Sequence, residues 1–152
     1  MLNLNISVSE TLKQVYATSA LHCFMCKNNA TKPALLSPDR RPVLHLLVRA
    51  SFHFVIVDML PRVVTTSTAI DDDDEILSVS LDINPDTGDG SAIARLAETA
   101  IAYYALHLVY VNENLELARE YGIKAEEMMK KLRDYVTAIC LKNPQQITPH
   151  SL

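Results

Sequence analysis

Three polar side chains recur one helical turn apart within an otherwise apolar stretch of the sequence. His45, Arg49 and His53 occupy positions i, i+4 and i+8 between Val43 and Leu60, so on a helix they would share one face. Imidazole and guanidinium groups at this spacing can bind an anion or a metal ion, but no Asp or Glu lies between His45 and His53 to supply a hard oxygen ligand. We interpret the strip as a polar seam or a subunit contact.

Two more side chains with possible chemistry, Tyr103 and His107, lie four residues apart in a later stretch. Together with His45, Arg49 and His53 they would form the cleft of an enzyme or a ligand-binding protein if the fold brought them together. The sequence contains no P-loop, dinucleotide fingerprint, nucleophile elbow or zinc-protease motif. We therefore predict a protein that is not an enzyme and that holds no cofactor and no metal ion.

The cysteines offer a second possible site. Cys23 and Cys26 form a C-x-x-C pair, a spacing found in metal and redox centres. No second pair of Cys or His follows at zinc-ligand spacing. We interpret the pair as small apolar side chains on a helix core face. The third cysteine, Cys140, makes the count odd, which is typical of a reducing compartment.

An acidic run, Asp71, Asp72, Asp73, Asp74 and Glu75, lacks the alternating ligands and the spaced Gly and Glu of an EF-hand calcium loop. Residues 71–90 carry eight acidic and no basic residues, whereas residues 1–62 carry seven basic and three acidic residues. The acidic segment opposes contact with nucleic-acid phosphates. Its attraction to the basic segment of another copy would instead guide assembly.

The composition indicates one helix-rich globular domain, because 49% of the 152 residues are hydrophobic, 21% are charged and only three are Gly. The N-terminus lacks the basic and apolar regions of a secretion signal. Arg49 and Asp58 interrupt the longest apolar stretch and oppose its insertion into a bilayer. We predict a cytoplasmic protein that does not contact membranes.

Four helices are predicted to position these groups. Ser7 and Glu10 fit a capping box at the start of a helix over 8–27, whose apolar stripe runs from Leu12 to Phe24. A second helix, expected at the centre of the fold, begins near 37–39 and is ended or kinked by Pro61. The third and fourth helices are predicted over 91–111 and 115–141. Gly122, between small neighbours in the fourth helix, would let another backbone approach closely.

Between the second and third helices the sequence favours extended structure. Residues 62–70 are rich in β-branched side chains, and residues 76–83 alternate apolar and polar side chains. The sequence leaves open whether these segments pair as a hairpin. We predict a mainly α, four-helix bundle-like domain over 1–142, with a strand or hairpin insert at 62–90 and a flexible C-terminal tail at 143–152.

This order of two helices, an acidic insert with a strand and two more helices resembles the head-tail connector, or adaptor, proteins of tailed bacteriophages and prophages over residues 8–141. The resemblance is one of layout and carries no diagnostic motif. It implies a small helical subunit of the virion that forms a ring beneath the portal. It also implies that an extended loop contacts a neighbour, the portal or tail proteins, without catalysis.

The residues and the resemblance agree on a structural or interaction subunit that forms homo-oligomers. The candidate interface residues are His45, Arg49, His53, Asp71, Asp72, Asp73, Asp74, Glu75 and Gly122. A small helical regulatory or binding domain with one protein partner is the first alternative. A helical-bundle enzyme or ligand-binding protein is the second.

Overall fold

The computed structural model describes residues 1–25, 36, 41–71, 74–86 and 90–142, and in this part of the chain three strands and four α-helices are present. A π-helical segment, His53–Asp58, directly continues helix α2. The elements in chain order are β1 (Leu2–Ser7), α1 (Val8–Met25), α2 (Arg41–Phe52), the π-helical segment, β2 (Val63–Asp71), β3 (Asp74–Leu81), α3 (Gly90–Tyr110) and α4 (Leu115–Lys142).

The described strands form an antiparallel sheet in the order β1-β3-β2. The central strand β3 alternates buried and half-buried side chains, as expected for a strand with one face on a core. In β1, Leu2, Leu4 and Ile6 lie opposite the buried side chains of β3. On the other face, the Ser78 and Ser80 hydroxyls donate hydrogen bonds to the side-chain oxygens of Asn5 and Asn3, at 2.8 and 2.7 Å.

The predicted four-helix bundle with a strand or hairpin insert is therefore wrong. Residues 63–71 and 74–81 do pair with each other, but β3 also pairs with the N-terminal strand, in the register Leu2↔Leu81 to Ser7↔Ile76. The side chains of β1 and β3 together give the sheet an apolar face that must be covered. The result is a sheet packed against helices rather than a bundle with an appended hairpin.

Helix α1 begins where the capping pattern places it. The Glu10 backbone N–H donates to the Ser7 hydroxyl oxygen at 3.1 Å, which is half of the predicted capping box. The other half differs, because the Ser7 backbone N–H donates to Glu98 of α3. Asp74 of β3 completes the cap by accepting from the Ser9 backbone N–H at 2.9 Å and from the Ser7 hydroxyl.

Helix α3 is the central element of the fold, because it packs against α1, α2, α4 and β1. Its small core residues Ala97, Ala100 and Ala105 are fully buried and permit close helix approach. The expectation that the second helix is central is wrong, since Val43 and Leu46 of α2 are exposed. Helices α3 and α4 match the predicted ranges to within one residue at each end.

The apolar stripe predicted for α1 is correct only in its first half. Leu12 and Val15 are buried, and the Ser19 and Tyr110 hydroxyls share a buried hydrogen bond of 2.8 Å. Beyond Ser19 the predicted stripe is not buried: Phe24 is 89% exposed, and Leu21 and Met25 beside it are exposed too. The predicted C-terminal tail, residues 143–152, lies outside the described residues.

Candidate functional site

A buried carboxylate brings together two residues of the predicted polar strip and one of the acidic run. The alternation of β3 places Glu75 on the core-facing side with Leu77, and its side chain is 8% exposed. From α2, the Arg49 Nε donates to Glu75 Oε1 at 2.6 Å. Arg49 Nη2 and His45 Nε2 also contact the carboxylate oxygens. These contacts tie α2 to the central strand of the sheet.

The electrostatics of this cluster are those of a structural ion pair. Burial by itself raises the pKa of Glu75, but the hydrogen bonds and charges of Arg49 and His45 outweigh burial and hold that pKa below its ordinary value of 4.5. A general acid or base at neutral pH requires a pKa close to 7. Glu75 therefore remains an ionised acceptor held by Arg49 and His45, which is not a poised catalyst.

The third residue of the strip, His53, does not join this cluster. It lies at the start of the π-helical segment, is exposed, and lines a groove of about 360 Å³ between α2 and β2. Arg49, Thr66 and Thr68 line the same groove. The strip thus divides into two residues that bind Glu75 and one that faces outward.

The acidic run is also divided among different roles. Asp74 caps α1, and Glu75 binds α2, so both act within the chain. Asp71 is the last residue of β2. Asp72 and Asp73 lie outside the described residues. Two residues of the acidic run, Asp74 and Glu75, are therefore engaged in contacts inside the chain.

Tyr103 lines a separate groove of about 500 Å³ between α1, α3 and α4. The Lys124 ammonium lies 5.8 Å from the ring centroids of both Tyr103 and Tyr121. The ring centroids of His22 and Tyr121 are 5.9 Å apart. The pKa of Tyr121 is raised, mainly by burial and secondly by the neighbouring Tyr110. Its buried hydroxyl has no hydrogen-bond partner among the described residues and stays protonated.

His107 lies in a third place, against Gly122. His107 Nδ1 is 2.7 Å from the Ala118 carbonyl oxygen, and a Cβ built on Gly122 would stand 3.1 Å from the same nitrogen. The prediction was that Gly122 admits another backbone, whereas the atoms nearest to it belong to the His107 side chain of the same chain. Phe54, Tyr104 and the His107 ring line a groove of about 600 Å³ beside it.

The residues of the suggested catalytic cleft therefore occupy three separate regions of the surface. In the described part of the chain, no three His, Cys, Asp or Glu residues are grouped so that they could hold a metal ion. Cys23 and Cys140 are free thiols, and Cys26 lies outside the described residues. None of the described helices is long and apolar enough to span a bilayer.

Strand β2 lies in the insert that the sequence marks as extended, and of its residues only Asp71 is among the candidate interface residues named from the sequence. It lies at one edge of the sheet, and among the described strands it pairs with β3 alone. Residues 64–70 are exposed on both faces of the sheet. No charged residue occurs from Val63 to Ile70, and Ile70 is 80% exposed. The signal was present as an uncharged β-branched run beside the acidic run.

The backbone of β2 can be oriented from one hydrogen bond at its end. The Asp82 N–H donates to the Arg62 carbonyl at 2.8 Å, so even-numbered residues of β3 point their backbone groups toward β2. Ser67 and Ala69, paired with residues 78 and 76, then bond to β3. The N–H and C=O groups of Thr66, Thr68 and Ile70 point away from the sheet.

The chain was compared with protein-family models, curated proteins and solved structures, and none of them matches it.

Proposed function

We propose that this protein is a non-catalytic assembly subunit that joins other chains by adding a strand to the edge of β2. The observation that carries the proposal is the exposure of residues 64–70 on both faces of a nine-residue edge strand. Unpaired N–H and C=O groups along such an edge are a template for another strand. Main-chain hydrogen bonds would supply affinity, and the side chains beside them would select the partner.

The devices that normally prevent edge pairing are sparse along β2. Natural edge strands carry Lys, Pro or inward-pointing charges, or are bent by bulges. A register shift between Val63 and Thr65 disturbs one end of β2. From Thr65 to Ile70 the strand pairs regularly with β3 and holds no Pro and no charged residue. This combination favours an edge that is used over one that is protected.

The distribution of polar groups supports a role without catalysis. The carboxylate of Glu75 is saturated by Arg49 and His45. Tyr103 and His107 line two different grooves, and neither groove includes a residue of that cluster. An acyl-transfer or hydrolytic site would instead need a nucleophile, a base and an orienting group within hydrogen-bond reach.

A head-tail connector is a narrower form of this proposal, and it comes from the resemblance in layout over residues 8–141. A connector ring requires head-to-tail contacts between copies, such as β2 of one copy with β1 of the next. Such a ring would have a mass many times that of the chain. A chain that stays monomeric at micromolar concentration and low salt, even with a portal ring present, would contradict the narrower form.

The general proposal is tested by native mass measurement of Thr68 variants. Thr68→Pro removes an outward-pointing N–H and leaves the ladder with β3 intact. Thr68→Val keeps that N–H and is the matched control. We expect oligomers for the wild type and Thr68→Val, and monomers for Thr68→Pro.

Thr68→Lys provides a second block that makes no demand on the backbone, and circular dichroism verifies that each variant is folded. A wild type that is monomeric at all concentrations would overturn the proposal. Folded Thr68→Pro and Thr68→Lys proteins with the wild-type mass would do so equally.

A further inference from the structure

We infer that the strand added to β2 is β2 of a second copy, running antiparallel about a two-fold axis at Ser67. This inference rests on the proposed function, in which the β2 edge is the assembly surface. It goes further by naming the partner and the register. The resulting dimer would contain a continuous six-stranded sheet in the order β1-β3-β2-β2-β3-β1, extending the three-stranded order of one copy.

The register follows from the length of the strand and the direction of its free backbone groups. Ser67 is the midpoint of Val63–Asp71, so a two-fold axis there overlaps all nine residues. Thr66 of one copy then lies opposite Thr68 of the other, and both present outward N–H and C=O groups. These two positions form hydrogen-bonded pairs on either side of the axis, and the Ser67 pair between them is a close, non-hydrogen-bonded pair.

The charges at the two ends of β2 favour the antiparallel direction. Arg62 precedes the strand, and Asp71 ends it at the start of the acidic run. Within the described residues no acidic side chain pairs with the Arg62 guanidinium. Antiparallel pairing brings Arg62 of each copy beside the acidic end of the other, whereas parallel pairing would set like charges together.

The same charges argue against head-to-tail pairing of β2 with β1. Residues 2–7 of β1 include no acidic side chain, so this edge offers nothing to Arg62. The two-fold register also brings Ile70 of each copy near Val64 of the other. Val64 and Ile70 are the large apolar side chains of β2 that remain exposed in the single chain, so both ends of the interface would shield apolar surface.

Disulfide trapping tests the register directly. Single cysteines are placed at Thr65, Ser67 and Ala69 in a background where Cys23, Cys26 and Cys140 are replaced by Ser. A non-hydrogen-bonded antiparallel pair has Cα atoms about 4.5 Å apart, within the range that a disulfide bridges. Under mild oxidation we expect Ser67→Cys to form covalent dimers by itself. Thr65→Cys and Ala69→Cys should cross-link only when the two variants are mixed.

A charge exchange tests the direction of the strands independently. Arg62→Glu alone, and Asp71→Lys alone, should each weaken the dimer by about tenfold at low salt, because two repulsive contacts replace two attractive ones. The double variant carrying both changes should restore dimerisation, since opposite charges would again face each other at both ends of the paired strands. This rescue is not expected from a merely structural effect of either residue.

The outcomes separate this inference from the proposed function. If the wild type forms oligomers that Thr68→Pro abolishes, but Ser67→Cys gives no covalent dimer, the edge is confirmed and the two-fold register is wrong. Equal cross-linking of all three single cysteines would show that the dimer lacks this register and would also overturn the inference. If the wild type shows no self-association at all, both the inference and the proposed function fail.

Discussion

Replacing Arg49 by Met should lower the stability of the protein far more than the loss of a typical surface ion pair. Met keeps much of the side-chain length but removes the guanidinium that donates to Glu75 at 2.6 Å. The Glu75 side chain is 8% exposed, while that of Arg49 is 47% exposed. The variant therefore leaves a buried carboxylate with only His45 beside it.

The expected loss lies between two reference cases. Removing one partner of a fully buried ion pair costs about 3–5 kcal/mol, and an exposed pair contributes about 0–1 kcal/mol. Because Arg49 is half exposed and His45 remains, we expect the free energy of unfolding to fall by about 2 kcal/mol. For a chain of this length, that change lowers Tm by about 6 °C.

The loss should depend on pH in a direction set by Glu75. Its pKa is lowered in the folded protein, so the folded state binds fewer protons than the unfolded state. The stabilisation is fully present above the ordinary pKa of 4.5 and disappears as pH falls through the folded pKa. The gap between the wild type and Arg49→Met should therefore be full at pH 7 and shrink steadily as the pH falls below about 4.5.

The assay is chemical denaturation of both proteins across this pH range. Lys130→Met is the matched control, because Lys130 pairs with Asp134 at 3.1 Å and both side chains are mostly exposed; its loss should stay below about 0.5 kcal/mol. Equal losses for the two variants would refute the reasoning. A gap for Arg49→Met that does not change with pH would also refute it.

Two further substitutions examine other contacts of the fold. Gly122→Ala should reduce stability by about 1 kcal/mol although Ala has the better helix propensity, because the new Cβ would stand 3.1 Å from the His107 ring. Gly90→Ala should be tolerated, because its Cβ would meet the flexible end of Leu2 at 3.3 Å. Urea denaturation measures both variants, and a larger loss for Gly90→Ala than for Gly122→Ala would contradict the prediction. Glu98→Gln should stabilise the protein at pH 7. The pKa of Glu98 is raised, mainly by burial and secondly by the charge of Glu10. Ionisation of Glu98 therefore opposes folding as the pH rises from 4.5 through the folded pKa. A Glu98→Gln protein that is less stable than the wild type at pH 7 would contradict this prediction.

The helices could be predicted from the sequence because their signals are local. Ser7 caps α1 where the S-x-x-E pattern indicates, and the ranges of α3 and α4 follow from apolar spacing over five or more turns. Strand β1 was missed although Leu2, Leu4 and Ile6 alternate with polar residues. Its partner in the ladder is more than seventy residues away along most of its length, and no local pattern reports such a pairing.

The Glu75 cluster could have been predicted in part. The interpretation of residues 76–83 as a half-buried strand already placed Leu77, Val79 and Leu81 on the core side. Extending the same alternation back by one step puts Glu75 on that side too. A carboxylate on a core-facing position requires cationic partners, and Arg49 was the strongest candidate in an otherwise apolar helix. The meeting of α2 and β3 itself depends on tertiary packing.

The segregation of charge along the chain takes on a different meaning once the fold is known. The sequence suggests that a basic N-terminal half of one copy attracts an acidic segment of the next. In the folded chain Asp74 is used by α1, and Glu75 is used by Arg49 and His45, so part of that attraction is satisfied internally. Along β2 the sequence places Arg62 directly before the strand and Asp71 at its last position. Because a strand with unlike charges at its two ends is complementary to its own reverse, the same edge that invites another chain also favours a second copy in the antiparallel direction.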